Sequence, residues 1–258
     1  MELSKDKIIA VTVWYNPEPS DAQTIALYNR DVCSVIVVDN SAADNASFIH
    51  AIPGLDNVEY IPLLENTGIA KAQNVGCKRA LELGAEWALT MDQDSQWTKH
   101  TVSQFITEAN QYELIGKVGI ITPYHDVDGD PTQHHLNGRF ELKNVVMSSG
   151  NLLRLKAWQQ AGGFREDFFI DSVDDEMCCH IRQLGYIVVR ANNIFLSHHL
   201  GEPIRIVPVI HHEYIPHKAW RYYYIARNIR RMMRLYPDLQ KYYAKAMRKY
   251  VKRLLLYD

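Results

Sequence analysis

Cysteine is scarce in this sequence, and long apolar runs are missing. Its 258 residues contain four cysteines, Cys33, Cys77, Cys178 and Cys179, none of them in a Cys-x-x-Cys pair. This spacing indicates neither a zinc knuckle nor a secreted disulfide framework, and a reducing, cytoplasmic setting fits it best. No apolar run approaches the roughly 20 residues of a membrane span, and residues 1–7 are too polar for a secretory signal.

The motifs of several enzyme classes are also missing. No Gly-x-Gly-x-x-Gly follows a predicted strand and no Walker loop occurs, which argues against nicotinamide, flavin and P-loop enzymes. There is no His-Glu-x-x-His, and the pairs His198-His199 and His211-His212 are adjacent residues that face apart on a helix or strand. A zinc hydrolase is therefore not predicted, whereas one histidine beside a carboxylate-bound metal remains compatible with the pattern.

Charge is distributed unevenly along the chain. The formal net charge is −2, yet residues 218–258 hold twelve Lys or Arg against two acids, and residues 1–217 hold 16 basic and 28 acidic residues. The acidic body argues against nucleic acid. The basic tail is predicted to form amphipathic helices, which suit either an anionic membrane surface or packing against the domain.

Continuous apolar runs predict an α/β fold. The runs at 8–14, 35–38 and 87–91 do not alternate with polar residues, which is typical of buried strands in a mostly parallel sheet with helices on both faces. Further strands are predicted at 58–63, 118–122, 145–149 and 186–191. Helices are predicted between them, including one at 152–161, and a helical extension follows at the C-terminal side.

The most informative stretch is an apolar run that ends in Asp92-Gln93-Asp94. In an extended chain the side chains of residues i and i+2 point to the same side, so Asp92 and Asp94 can converge at the carboxyl end of a strand. Open α/β sheets bind ligands at that edge. Two carboxylates suit Mg²⁺ or Mn²⁺, which keeps positions open for substrate phosphates. The alternative is that both aspartates only form a turn.

Two other predicted strands lead into candidate ligand contacts. Asp39 ends the second strand, where it either meets a nucleoside or closes the strand through an Asx turn. Asn66-Thr67-Gly68 opens a helix, and the N-terminal N–H groups of a helix suit a diphosphate.

An acidic cluster, Asp174-Asp175-Glu176, opens the helix predicted to follow residue 172. Asp174 lies next to the apolar stripe of this helix, so its carboxylate is expected near the core side. Acids are favoured at helix N-termini by the helix dipole, and Ser172 with Asp175 resembles a capping box. Three acids exceed what capping requires, so a chemical role for one of them and a purely structural role for all three both stay open.

Taken in order, these residues resemble the family 2 glycosyltransferases of GT-A fold. The segments that carry the likeness include Val37-Val-Asp-Asn-Ser41, Met91-Asp-Gln-Asp-Ser95, Phe169-Ile-Asp-Ser-Val-Asp174 and Tyr223-Tyr224 with Arg227-Asn228. Within the family, the chain is similar to the rhamnosyltransferases of bacterial cell-surface polysaccharides. The resemblance implies a GT-A domain at 1–217, with a nucleotide-sugar half at about 1–95 and an acceptor half at about 96–217, followed by basic helices at 218–258.

The resemblance also implies a role for individual residues. The implied catalytic base is Asp174, although the extra acid Asp175 leaves this assignment open by one position. The implied metal ligands, for Mg²⁺ or Mn²⁺, are Asp92, Asp94 and His198. The implied donor contacts are Asn16, Asp39, Asn66, Gly68, Asn74 and Asp92. The implied acceptor contacts are Gly163, Asp175 and Glu176.

These expectations describe an inverting, metal-dependent glycosyltransferase. It would use a nucleoside diphosphate sugar, with dTDP-L-rhamnose as one candidate, and a glycan or lipid-linked acceptor at the inner face of the cell membrane. A sugar nucleotidyltransferase is an alternative, but such enzymes usually carry a Gly-rich loop after the first strand, where this chain has Tyr15-Asn16-Pro17. A catalytically silent nucleotide-sugar-binding subunit is the other alternative.

Overall fold

The computed structural model describes residues 2–97, 100–127, 138–198 and 217–257. Its first four strands are β1 (Ile8–Trp14), β2 (Ser34–Asp39), β3 (Val58–Pro62) and β4 (Trp87–Asp92). They pair in parallel in the order β3-β2-β1-β4. Trp14 lies beside Asp39, and Val13 lies beside Asp92, so the carboxyl ends of three strands meet at one edge of the sheet.

The other half of the sheet is mixed. Its strands are β5 (Ser95–Gln96), β6 (Val118–Val127), β7 (Phe140–Leu142), β8 (Asn151–Arg154) and β9 (Ile187–His198). β8 runs antiparallel to both β4 and β6, and β9 runs parallel to β6 but antiparallel to β5 and β7. The predicted, mostly parallel α/β sheet is confirmed: the first four strands and the long β6–β9 pair are parallel, and the antiparallel pairs are short.

Helices cover both faces of this sheet. They are α1 (Pro19–Ile25), α2 (Ala46–His50), α3 (Ile69–Glu82), α4 (Val102–Ala109), α5 (Leu155–Gln160), α6 (Val173–Gln183), α7 (Ala219–Leu235) and α8 (Gln240–Tyr257). Alternate residues of β1 enter two different cores: Val11 packs in the layer of α3, α5, α6 and α7, and Ala10 packs in the layer of α1, α2 and α4. Burial on both faces explains why the strand is continuously apolar.

The region before α5 differs from the sequence prediction. Residues 145–149 form no strand, and residues 151–154, of which 152–154 were predicted to be helical, form β8. Gly150 adopts a left-handed φ of 75° and its N–H donates to the Thr90 carbonyl oxygen at 2.7 Å. This turn places Leu152 and Leu153 between β4 and β6, where both are buried. Strand pairing therefore overrides the helical pattern, because a short apolar run suits either state.

The C-terminal helices pack on the domain, which is one of the two predicted alternatives. Tyr236 and Tyr243 are buried, and their hydroxyls donate to Glu176 Oε1 at 2.9 Å and to Asp175 Oδ2 at 3.1 Å. Both tyrosines belong to the same core as α3 and α6, and the domain division at residue 217 stays a prediction. Within the described ranges, no helix combines the length and apolarity needed to cross a membrane.

Candidate functional site

A cavity of about 350 Å³ lies at the carboxyl edge of the parallel strands. The ends of β1 and β4, the start of α3, the loop before α6 and the start of α7 all contribute to its wall. The residues that line it include Asn40, Asn66, Asp92, Phe169, Asp171, Asp174, Trp220 and Arg221. Two of the three predicted chemical carboxylates, those of Asp92 and Asp174, therefore share one cavity although 82 positions separate them in the chain.

Asp92 is the last residue of β4, and its carboxylate is surrounded by negative charge. Burial, followed by the charges of Asp94 and Asp174, raises the pKa of Asp92 to about 7. Asp94 is exposed in the turn after β4. Gln93 points away from the pair, because its Oε1 accepts from the backbone N–H of Tyr15 at 2.7 Å. The charge of Asp94 acts on Asp92, and a turn follows β4 where the sequence suggested an extended chain. The convergence of the two carboxylates on one metal ion stays a prediction.

The chemistry of Asp92 and Asp94 fits a divalent cation. A carboxylate buried beside other carboxylates is unfavourable when ionised, and a hard cation would remove that cost. In the part of the chain that the structure describes, no three His, Cys, Asp or Glu side chains converge closely enough to enclose a metal ion by themselves. A cation held by this pair would keep coordination positions open for substrate phosphate and water, as Mg²⁺ commonly does.

Asp174 lies in the first turn of α6 and lines the cavity. Its Oδ1 accepts from the backbone N–H of Asp175 at 3.0 Å. Burial is the main cause that raises the pKa of Asp174, and the charge of Asp171 adds to it. A carboxylate whose proton affinity is raised is suited to accept a proton near neutral pH.

Asp175 and Glu176 point away from the cavity, contrary to the acceptor contacts implied by the resemblance. Asp175 accepts from Tyr243, and burial followed by the charge of Asp174 raises its pKa to about 7. Glu176 is 2% exposed and accepts from Tyr236. Both acids fasten the C-terminal helices to α6, so placement favours Asp174 for any role at the cavity.

The loop before α3 is organised by two asparagines. Asn66 Oδ1 accepts from Gly68 N–H and from Asn40 Nδ2, both at 3.1 Å. Asn40 Oδ1 accepts from the backbone N–H and the hydroxyl of Thr67, at 2.7 and 3.0 Å. Asn66 and Gly68, two of the predicted donor contacts, line the cavity, and contact with the donor stays a prediction. The N–H groups of Gly68 and Ile69 are already bonded within the protein, because Ile69 donates to the Phe169 carbonyl at 2.8 Å.

Asp39 and Asn16 lie at the strand ends but do not line the cavity. Asp39 is fully buried: its Oδ1 accepts from Ser41 N–H at 3.0 Å, and its Oδ2 accepts from Asn45 and Tyr60. This geometry is the Asx turn that the sequence left open. Asn16 is exposed and has a φ of 47°. A nucleoside contact by either residue stays a prediction.

Asn74 and Gly163 lie beside each other but not at the cavity. Asn74 Oδ1 accepts from Trp158 Nε1 at 3.1 Å and from Phe164 N–H at 2.7 Å, and its Nδ2 donates to the Phe164 carbonyl. A Cβ on Gly163 would lie 2.8 Å from Asn74 Oδ1. Both residues therefore take part in a contact that joins α3 to the segment after α5. A donor contact by Asn74 and an acceptor contact by Gly163 stay predictions.

His198, the predicted histidine ligand, is the last residue of β9. The backbone of His198 pairs with Ser95, the residue after Asp94. Its side chain lies outside the described part of the structure, as do His199, His211 and His212. Metal binding by His198 stays a prediction.

The loop at 167–172 is held in an unusual conformation by α7. Phe169, Asp171 and Ser172 have φ values of 64°, 64° and 58°, which non-glycine residues rarely adopt. The buried amide nitrogen of Asn228 lies 2.9, 2.8 and 2.8 Å from the carbonyl oxygens of Phe168, Ile170 and Asp171. Ser172 makes no side-chain cap bond, so the predicted capping box is wrong. Helix α7 thereby stabilises the loop that leads into Asp174.

Two functional candidates at the start of α7 received no role from sequence reasoning. Arg221 lines the cavity and forms an ion pair with Asp171, with an Nη2–Oδ1 distance of 3.1 Å. Trp220 lines the same cavity and is 48% exposed. The sequence shows that the C-terminal segment begins with basic and aromatic residues. It does not show that Arg221 contacts Asp171, because the two residues are 50 positions apart in the chain.

Comparison with known proteins points to one family. The model of a family described as glycosyl transferase family 2 matches residues 10–172, which is more than half of the chain. The chain is 30% identical over 240 residues to dTDP-rhamnosyl transferase RfbF of Shigella flexneri, covering 86% of this chain and 78% of that protein. It is 22% identical over 249 residues to an N-acetylglucosaminyl-diphospho-decaprenol L-rhamnosyltransferase of Mycobacterium tuberculosis, covering 80% of each.

Solved structures support the fold. GalNAc-T7 crystallised with UDP, GalNAc and Mn²⁺ superposes with a TM-score of 0.59 at 11% identity, over 75% of this chain and 44% of that one. Staphylococcus aureus TarS superposes with a TM-score of 0.53 at 14% identity, over 88% of this chain and 40% of that one. The chain thus spans less than half the length of either solved chain, and at these identities the likeness concerns the fold.

Proposed function

Because the chain belongs to glycosyl transferase family 2, we propose that it transfers L-rhamnose from dTDP-L-rhamnose to a lipid-linked glycan. The two relatives described above carry rhamnosyltransferase names, one with dTDP and one with a diphosphate-linked lipid in its name. An acceptor of this kind would bring the enzyme to the inner face of the cell membrane. The sugar nucleotidyltransferase alternative is set aside, since the family transfers glycosyl groups.

The observation that carries this proposal is the shared cavity of Asp92 and Asp174. Asp174 takes the proton of the acceptor hydroxyl while that oxygen bonds to the anomeric carbon. The bond from this carbon to the diphosphate breaks, and its electron pair leaves with the diphosphate. A single displacement of this kind inverts the anomeric centre. Mg²⁺ or Mn²⁺ bound by Asp92 and Asp94 would supply positive charge that stabilises the departing diphosphate.

Arg221 and the loop before α3 complete the wall on the donor side. The guanidinium of Arg221 is the cationic group of the described cavity wall, and Asp171 holds it in place. Asn40 and Asn66 fix the loop that faces it. These groups position a diphosphate sugar and exclude water from it, which limits hydrolysis of the donor.

The decisive experiment replaces the proposed base. We expect Asp174→Asn to lower kcat for transfer by about 100- to 10,000-fold, because general bases contribute rate factors of this size. Donor affinity, measured by calorimetry with dTDP-L-rhamnose and Mn²⁺, should remain within about twofold, since the amide keeps the shape of the carboxyl.

Asp175→Asn is the matched control, because this neighbouring acid faces Tyr243 and not the cavity. It should retain most of the transfer rate. Full activity of Asp174→Asn would overturn the base assignment. A wild-type protein that binds the donor but neither transfers nor hydrolyses it would instead support the silent binding subunit.

A further inference from the structure

Helix α7 presents a row of aromatic and arginine side chains on the face opposite its buried side. With 3.6 residues per turn, Trp220, Tyr223 and Arg227 follow one another on this face, and Tyr222, Ile225 and Met232 lie on the buried face. The row ends in a groove of about 400 Å³, which we name the arginine groove. Its lining residues are Tyr223, Ala226, Arg227, Arg230, Arg231 and Arg234.

The row begins at the cavity that contains Asp174. Trp220 forms part of the cavity wall and is half exposed. Tyr224, one turn further, stacks on Phe169 of the same wall with a centroid separation of 5.0 Å. At a rise of 1.5 Å per residue, Arg230 lies roughly 15 Å from Trp220 along the helix axis. A molecule that enters the cavity along α7 therefore passes over the arginine groove.

The groove concentrates positive charge that the fold does not require. Arg227 and Arg231 serve the protein, since Arg227 donates to the Asp167 and Phe168 carbonyls and Arg231 pairs with the Asp167 carboxylate at 3.0 Å. Arg230 and Arg234 are exposed, and neither forms an ion pair with any residue that the structure describes. The helix dipole favours Arg234 in the last turn of α7, but it does not favour Arg230, and like charges at this helical spacing repel each other. A bound anion would remove that repulsion.

We propose that the arginine groove binds the diphosphate that links the acceptor glycan to its lipid. This inference rests on the proposed function and adds the position of the acceptor. Guanidinium groups form bidentate, charge-assisted hydrogen bonds with phosphate oxygens. The sugar end of the acceptor reaches the cavity past Trp220, whose exposed ring offers an apolar face to a sugar, and the lipid leaves the groove at its far end.

A concave diphosphate site fits the groove better than a membrane surface does. Helices that lie in a membrane interface insert large apolar side chains on one face and carry Lys or Arg on the other. The groove lining instead contains Ala226 and Tyr223 besides its four arginines. Four arginines that line one groove are suited to a compact, doubly charged group, whereas a membrane surface needs no groove.

The test uses the full chain with Arg230→Gln and Arg234→Gln combined. Two soluble acceptors carry the same sugar, one through a short alkyl diphosphate and one as a plain alkyl glycoside. We expect KM for the diphosphate acceptor to rise about tenfold or more, because charge-assisted hydrogen bonds to phosphate are lost. KM for the plain glycoside and kcat for both acceptors should stay within about twofold.

Lys245→Gln with Lys249→Gln is the matched control, because it removes the same charge from exposed positions of α8. It should leave both KM values unchanged. Farnesyl diphosphate provides a direct binding measurement by calorimetry, and its affinity should fall in the arginine variant but not in the lysine variant.

Three outcomes would overturn the inference: unchanged kinetics and unchanged farnesyl diphosphate binding, an equal loss with both acceptors, or an equal effect of the lysine variant. In a fourth outcome, the arginine variant no longer binds vesicles that contain phosphatidylglycerol, while its KM for the soluble diphosphate acceptor is unchanged. The groove would then be a membrane contact. If the wild-type protein transfers no sugar to either acceptor, the proposed function fails, and the farnesyl diphosphate measurement alone decides the groove.

Discussion

At the scale of single residues, the cavity depends on backbone conformations that most side chains disfavour. Phe169, Asp171 and Ser172 adopt positive φ values within four positions, and each such residue costs about 1–3 kcal/mol unless its surroundings compensate. Gly68 has a φ of 86°, and a Cβ there would lie 2.5 Å from Phe169 Cδ2 and 2.7 Å from the Phe169 carbonyl oxygen. The start of α3 and the loop before α6 therefore fit together only because residue 68 has no side chain.

Gly68→Ala tests this fit, with Gly84→Ala as its control. Gly84 has nearly the same φ, 85°, but a Cβ there would meet nothing within 4 Å. We expect Gly84→Ala to cost about 1–2 kcal/mol from backbone strain alone. Gly68→Ala should cost about 1–3 kcal/mol more because of the clash, and it should weaken donor binding. Urea unfolding measures both costs, and equal losses would contradict the proposed fit.

At the scale of elements, α7 is part of the site although it follows the region matched by the family model. Arg221 and Trp220 reach the cavity, and Asn228 holds the loop that leads into α6. Helix α8 adds Tyr243, whose hydroxyl bonds to Asp175. Helix α7 thus holds the loop that precedes Asp174, and helix α8 contacts Asp175, the residue that follows it.

Asn228→Ala should damage catalysis more than donor binding. It leaves buried carbonyl oxygens of residues 168, 170 and 171 without this donor, which costs about 1–3 kcal/mol of stability. With the loop loosened, kcat should fall about tenfold or more, because small displacements of a base reduce rates strongly. Asn192→Ala is the control, since Asn192 is also buried but does not line the cavity. Equal kcat in both variants, measured well below their unfolding temperatures, would argue against a positioning role.

Tyr243→Phe should weaken the attachment of α8 in a pH-dependent way. Asp175 has a pKa raised to about 7, so above this pH the Tyr243 hydroxyl donates to an ionised carboxylate, and such bonds are the stronger ones. We expect a loss of about 1.5–3 kcal/mol near pH 8 and a smaller loss near pH 5. Tyr242→Phe is the control, because Tyr242 is 54% exposed. Urea unfolding at both pH values checks this, and a pH-independent loss would exclude the ionised bond.

Sequence patterns predicted the elements better than the contacts between them. The parallel strands and the Asp92–Asp94 pair follow from apolar runs and i, i+2 spacing, which are local. Asp174 and Asp175 are neighbours of the same type, and their surroundings differ through tertiary packing, which places the cavity beside Asp174 and Tyr243 beside Asp175. Likewise, residues 152–154 have an apolar pattern that suits a helix or a strand, and pairing with β4 and β6 decides between them.

At the scale of the whole molecule, several aspartates lie together at one edge of the sheet. Residues 1–217 as a whole also hold more acidic than basic residues. The pKa of Asp92 is raised from 3.8 to about 7 by burial and by two neighbouring aspartates. The folded state therefore holds this proton more tightly than the unfolded chain does. The stability that results is fully present below about pH 3.8 and is lost as the pH rises through about 7.

Mn²⁺ should therefore stabilise the protein more at about pH 8 than at about pH 5, because the carboxylates that would bind it are then ionised. In the presence of EDTA, Tm should be lower at about pH 8 than at about pH 5. Asp92→Asn should reduce both effects. Asp175→Asn should reduce the pH dependence but preserve the response to Mn²⁺, since its carboxyl faces α8. Differential scanning fluorimetry provides the measurement, and a Mn²⁺ effect unchanged by Asp92→Asn would exclude this residue as a ligand.

The bond from Asn228 to the loop at 167–172 has a consequence for the growing chain on the ribosome. Chains emerge from the N-terminal side, and folding can begin before synthesis ends. The strands that build the sheet, β1 to β9, all precede α7, so the sheet can form while the amide that holds this loop is still untranslated. A nascent chain stopped before residue 228 would lack this amide, so we expect it to be inactive, and catalytic competence would require the synthesis of α7.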